Sequence, residues 1–483
     1  METIHLKSVD PISQDLLRLA AQNGTDLNWE RYEKLQPQDG FLRLGLSCPF
    51  GCMQGPCRID PFERGPQKGL CGMGRDEMAA AMILRLTLQG ILEICNGRVP
   101  EESILKDKAI KDALAVYEGT SLSLPYMLQS ISHLGSSHHS ADHTILRAVQ
   151  LGIASLGLTQ PSNHKPDVNR SCKSGYGLLS DAGTVIGISG YPDKELIEKV
   201  CSAMTQASSS PVQLVSLGDW IIDDTGFVPI ACTSGEAELL TSAGCIDLLV
   251  VGPSMEAGLV DLCSTLNIPK IATGDVEQFK KSIKLACEHS EKRSRTDFQP
   301  DASLVGEGNV SGINELERAF KDMGDKRLAL IGGADTPHVS FGWIPVELSK
   351  ALAGLDIQVS AWGDAALWMI KDGLASTENP SAAFILDPFE GPVQAVRALQ
   401  SANKLKNLKG VCFTGLKGCR DFAVALGLAG LGLDVCVASP IPLWGSELVR
   451  NVLENVLSKS GGSFHHFDHP PHAQEILDWF TEK

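Results

Sequence analysis

The chain has no unbroken apolar run of membrane-spanning length at its most hydrophobic point. Phe422 to Ala438, "FAVALGLAGLGLDVCVA", is interrupted by glycines and by Asp434, and reads as buried helix, turn and strand. Basic residues are in the minority, with 42 Lys and Arg against 58 Asp and Glu and a net charge of −16. That balance excludes nucleic acid and anionic membrane as natural partners. No basic segment followed by an apolar core opens the sequence, so no signal peptide is expected. Neither the dinucleotide fingerprint nor the Walker pattern occurs; "GISGYP" and "IGGADTP" are strand-end glycines of the ordinary kind. No short repeat is evident. What the chain does have is 14 cysteines among 483 residues. The expected location is cytoplasmic, where thiols stay reduced, so clustered cysteines there point to metal rather than to disulfides.

Hydrophobic patterning divides the chain. Residues 1–165 carry helical patterns, among them "RDEMAAAMILRLTLQGILEIC" (Arg75 to Cys95), acidic at its start and apolar nearly all round. From about residue 180, short apolar runs ending in glycine alternate with helical stretches: "TVIGISG", "VQLVSLG", "IDLLVVG" and "KIATG". The polar stretch Glu288 to Gly312 reads as a surface loop or linker. Alternation then resumes with "RLALIGG", "IQVSAWG", "AAFILD", "LKGVCFTG" and "LDVCVAS". Strands alternating with helices imply parallel sheets covered on both faces. The expected fold is α/β: a helical domain (1–165, with a cysteine segment at 48–71), then two doubly wound domains (166–310 and 311–483).

The cysteine segment is "CPFGCMQGPCRIDPFERGPQKGLCG", with Cys48, Cys52, Cys57 and Cys71 spaced C-x3-C-x4-C-x13-C. Zinc ribbons use two tight pairs. Three close cysteines and one distant suit a [4Fe–4S] cluster wrapped by a bending loop, and Gly51, Gly55 and Pro56 allow the bend. Cys71 lies just before the Arg75 helix, whose positive end favours an anionic, thiolate-held group.

This segment resembles the N-terminal part of the anaerobic nickel-iron carbon monoxide dehydrogenases, relatives of the hybrid-cluster proteins. There the four cysteines hold an electron-transferring [4Fe–4S] cluster. The resemblance extends to "SSHHSADHTILRA", "GEAELLTSAGCIDLLVVG" and "VASPIPLWGSELVRNVL…GGSFHHFDHPPHAQEIL", hence end to end in a shortened chain. It implies a helical domain followed by two Rossmann-like domains.

The departures bear on function. The family bridges its subunits with a cluster on two cysteines per chain; the matching positions here are Asp39 and Ser47, poor ligands for iron–sulfur. The family's catalytic nickel cluster needs a histidine and five cysteines. Ser254, the "ADTPHV" stretch and "GDAAL" stand where three of those cysteines are expected. Cys232 and one of Cys412 or Cys419 are the remaining candidates. Carbon monoxide oxidation and nickel are therefore not expected; one [4Fe–4S] cluster per chain is.

Two readings follow. The first is an electron-transfer protein or redox-complex subunit of anaerobic metabolism, oligomeric or bound to a redox partner. The second is an oxidoreductase with a remodelled metal site built from Cys232, Cys412, Cys419, His338 and the His139/His143 pair. That pair shares a helix face at i, i+4, with Ser137 as the expected helix cap. "SFHHFDHPPH" reads as exposed polar decoration. Cys172, between Arg170 and Lys173, is expected to have a lowered pKa.

Overall fold

The computed structural model describes residues 6–35, 57–60, 64–95, 108–117, 130, 140–158, 168–180, 183–207, 211–223, 226–292, 300–375, 383–438, 446–467 and 469–482. Thirteen strands run in chain order among them. They are β1 (Arg170–Ser174), β2 (Thr184–Ser189), β3 (Val212–Leu217), β4 (Ile230–Cys232), β5 (Leu248–Val251), β6 (Lys270–Ile271) and β7 (Gly306–Val310). There follow β8 (Arg327–Gly332), β9 (Ile357–Ala361), β10 (Ala383–Ile385), β11 (Leu408–Phe413), β12 (Asp434–Val437) and β13 (Ser463–His466). The α/β expectation holds.

The chain forms two compact units that interleave in sequence. One comprises Met1–Gln36, Pro166–Lys326 and Ala334–Lys404; the other comprises Pro37–Lys165, Arg327–Gly333 and Leu405–Lys483.

In the first unit the strand order is β9-β10-β7-β1-β4-β3-β2-β5-β6. All its pairings are parallel except β1 with β7. Along β2, Val185 joins one core with Leu217, Leu240 and Leu249. Ile186 and Ile188 join another with Val200, Phe279 and Ile283. Successive side chains of a strand point to opposite faces, so these two cores cover both sides of the sheet.

The stretch Glu288 to Gly312 is not all loop. The helix Val276–Lys292 runs into it, and its end is the antiparallel strand β7. The strand is disguised by Gly306 and Gly308, where an added Cβ would lie 2.7 and 2.8 Å from the side chain of Ile370. Close approach demands glycine there, and glycine erases the strand signature.

At the C-terminal end of β2 the order reverses, with β3 to one side and β5 to the other. Such a switch point often opens a crevice. Here backbone closes it: a Cβ on Gly190 would meet Met255 N at 2.8 Å and Gly252 O at 2.9 Å.

The second unit contains the parallel strands β13-β12-β11-β8 and a helical layer. By length and composition the helix Arg75–Cys95 could span a bilayer, but most of its apolar window is buried in the protein. It packs against the helices Ala141–Ser155 and Cys419–Gly430. Small residues mark the crossings. A Cβ on Gly90 would lie 2.7 Å from that of Ala423, and one on Gly152 would lie 2.9 Å from Gly427 N.

Gly90→Ala should therefore destabilise by about 1–3 kcal/mol through overpacking against a backbone that cannot retreat. Gly354→Ala, at a helix end with open space around it, should be neutral or stabilise by up to about 1 kcal/mol. Thermal melts of the two variants check the contrast; equal shifts would contradict the crossing geometry.

Candidate functional site

Two places in the fold carry the residues singled out by sequence. The first is the cysteine loop of the second unit. Cys48 and Cys52 lie outside the described residues; Cys57 is half-buried and Cys71 exposed. Between them the chain doubles back. Asp60 N–H donates to Pro66 O at 2.8 Å, Gly69 N–H to Met73 O at 2.8 Å and Gly72 N–H to Gly69 O at 2.9 Å. Gly72 has φ +88°, a left-handed turn that favours glycine. The turn aims the Leu70 amide at Cys57 Sγ, 3.3 Å away. Gly74 N–H donates to Glu77 Oε2 at 2.9 Å and so caps the Arg75 helix.

An amide donor on a cysteine sulfur stabilises thiolate, and hydrogen bonds to sulfur tune an iron–sulfur cluster. The two described cysteines and their loop fit such a group. Cys57 and Cys71 would contribute thiolates beside a helix N-terminus, and the cluster would supply one-electron chemistry.

The second place is a buried polar cluster in the first unit. The turn after β4 contributes Thr233, Ser234 and Glu236, with Cys232 fully buried beneath it. The helix Gly363–Lys371 presents Asp364, Trp368 and Lys371 at i, i+4 and i+7, one helix face. The loop after residue 333 brings Asp335, and the N-terminal segment brings Asp10 and Ser13.

Lys371 Nζ sits 3.0 Å from both oxygens of Glu236 and 3.2 Å from Asp10 Oδ2. It lies 4.1 Å over the Trp368 ring and 4.7 Å over Tyr176. Ser13 Oγ donates to Glu236 at 2.7 Å and is 2.8 Å from the Tyr176 hydroxyl. Trp368 Nε1 donates to both Asp335 oxygens, at 3.0 and 2.8 Å, and Thr233 Oγ1 donates to Asp335 Oδ2 at 2.5 Å. Asp335 N–H donates to Asp364 Oδ2 at 2.8 Å, and Ser234 donates through both its amide and its hydroxyl to Asp364.

Burial alone would depress the lysine; Glu236 and Asp10 outweigh it and raise its pKa. Burial, reinforced by Glu236, pushes the Tyr176 phenol well up. Burial and then the neighbouring Asp364 lift Asp335 to about 8.

Asp335 and Asp364 thus meet in space, in two of the three stretches where the resemblance places cysteines. Their donors are hard oxygens already engaged by serine, threonine, tryptophan and amides. No slack remains around them: a Cβ on Gly235 would lie 2.6 Å from that of Asp335 and 2.8 Å from the Phe341 ring. These residues do not fit a soft nickel-iron-sulfur cluster.

The other candidates go elsewhere. Ser254 is exposed, its amide donating to Gly190 O at 2.9 Å. Cys412 faces Cys436 in register across β11 and β12, both fully buried. Cys419 begins a helix, 3.7 Å from Gln89 Oε1, and burial and Glu93 push its thiol up to about 11. His338 packs edge-on against Tyr32 at 5.1 Å. His143 is exposed on a helix capped by Ser140, not Ser137, and His139 lies outside the described residues. Among the described residues no group of three His, Cys, Asp or Glu is placed to hold a metal ion.

Cys172 reverses expectation. It is buried within β1, while Lys173 points to the other face opposite Glu307. Burial, with Glu307 adding to it, pushes the thiol up to about 12. In the terminal histidine run, His465 stacks on Trp479, and Glu475 accepts from the His472 amide at 2.7 Å and sits 3.2 Å from His469.

No family model matches the chain. It is 45% identical over 89 residues to carbon monoxide dehydrogenase 1 of Methanosarcina mazei, and 36% identical over 118 residues to carbon monoxide dehydrogenase 1 of Carboxydothermus hydrogenoformans. Those matches take in 18% and 22% of this chain but span only 14% and 18% of the relatives' length. The fold likeness runs further. Carbon monoxide dehydrogenase IV from Carboxydothermus hydrogenoformans superposes over 99% of both chains with a TM-score of 0.78 at 18% identity. An acetyl-CoA synthase/carbon monoxide dehydrogenase structure matches 100% of this chain and 95% of its own, with a TM-score of 0.79 at 16% identity. The chain is thus similar in sequence to carbon monoxide dehydrogenases over one segment, and similar in fold over almost its whole length.

Proposed function

We propose that this chain is a cytoplasmic electron-transfer protein or redox-complex subunit of anaerobic metabolism, and that it does not oxidise carbon monoxide. It carries one [4Fe–4S] cluster on Cys48, Cys52, Cys57 and Cys71. The observation that carries the reading is the contrast between its two sites. The cysteine loop keeps sulfur ligands and an amide aimed at one of them, whereas the buried cluster of the first unit holds carboxyl groups, hydroxyls and a lysine. Exposed Cys71 and the neighbouring Leu70 put the loop at the surface of its unit, where a redox partner could approach it. The chain acts as an oligomer or within a larger complex, as befits an electron carrier that needs a donor and an acceptor.

The cluster is tested by iron content. Anaerobically purified protein should hold about four irons per chain, and Cys57→Ser or Cys71→Ser should lose most of the iron and the visible absorbance. Full retention in both variants would refute the ligand assignment.

The chemistry is tested with carbon monoxide. Nickel-reconstituted protein should give no carbon monoxide-dependent reduction of a viologen dye, while its cluster still takes an electron from dithionite. Rapid dye reduction abolished by Cys232→Ala would overturn the reading.

A further inference from the structure

The loop that carries Asp335 also carries the anchor of the N-terminal segment. Phe341, fully buried, forms a parallel bridge with Ser8: its amide donates to Lys7 O at 2.9 Å, and its carbonyl accepts from Val9 N–H at 3.0 Å. Asp335 and the Phe341 ring pack against the same glycine, Gly235, on one loop. The carboxyl and the strip of backbone that holds Lys7–Val9 therefore share one support.

The charges around Asp335 are unbalanced. Asp364 and Lys371 come from the helix Gly363–Lys371, Glu236 from the turn after β4 and Asp10 from the N-terminal segment; His338, on the same loop, turns toward Tyr32. Lys371 is drawn to Glu236 and Asp10. Among the described residues four carboxyl groups and the Lys371 ammonium gather here, and the groups bonded to Asp335 are neutral: Trp368 Nε1 and Thr233 Oγ1, the latter also 3.2 Å from Glu236 Oε2, so that it can accept a proton from Asp335 while donating its own to Glu236.

We propose that a proton resident on the Asp335 carboxyl keeps this cluster closed, and that losing it loosens the loop 334–342 and the N-terminal segment 6–22 docked against it. The structure is thereby a pH-sensitive strap. An ordinary aspartate would release its proton near 3.8; burial and Asp364 hold this one to about 8. The closed form binds the proton more tightly than the open form. Closure is therefore fully favoured below the ordinary carboxylate range, weakens as pH rises through the interval, and levels off above about 8.

Hydrogen–deuterium exchange of the full chain, corrected for intrinsic rates, tests this. Protection of amides in residues 6–22 should fall between about pH 5 and pH 8, by at most about tenfold per pH unit, and flatten above. Asp335→Asn should remove that slope. Asp364→Asn, which keeps an acceptor for the Asp335 amide, should move the flattening to lower pH. Flat protection in the unaltered chain, a slope retained in Asp335→Asn, or no shift in Asp364→Asn would each overturn the proposal. Should Asp335→Asn fail to fold, carbon-13 titration of aspartate carboxyls in the unaltered chain decides: the absence of any carboxyl titrating near 8 overturns it.

Discussion

The buried ammonium of Lys371 is the fixed point of the first unit. Residues 10, 236 and 371 are remote in sequence, and they converge because one cation must be matched once it leaves water. Removing one partner of such a pair typically costs about 3–5 kcal/mol, since the other charge stays behind unmatched. Trp368 and Tyr176 complete the cage, presenting π-faces to the ammonium. Ser13 extends the same network into the N-terminal segment, so the register of that segment and the geometry of the β4 turn are set together.

Around that point the donors are hard. A site for low-valent metal needs polarisable thiolates. Oxygen donors that are already saturated by hydroxyl, indole and amide hydrogens offer it neither charge nor room. The cysteine loop shows the opposite arrangement, with a half-buried sulfur that receives an amide and a second cysteine open to solvent. One unit thus presents sulfur near its surface, and the other gathers buried carboxyl groups around a lysine.

Much of this was legible in sequence. β2, β3, β5, β8, β9, β11 and β12 announce themselves as apolar runs closed by a turn, because strands buried on both faces need continuous hydrophobicity. β7 hid behind its glycines, and β4, with three residues, is too short to show a period. The cysteine spacing stood out because its four residues lie close together in sequence. The buried cluster was half readable. Asp335 and Asp364 stood out as departures from a resembled pattern, but Glu236, Tyr176, Ser13 and Lys371 did not, since no local spacing links them. The stripe of Asp364, Trp368 and Lys371 was the one available signal. Cys172 was misread because neighbours along a strand face opposite ways, so adjacency in sequence was taken for proximity of charge.

The interleaving of the two units has a consequence for how such a chain can change. Three segments belong to each, and the backbone passes from one to the other five times. No single cut releases either unit whole, and no single insertion or deletion could add or remove one as a module. A change confined to one unit is therefore made residue by residue, or within a connection between elements, with the path of the backbone left as it is.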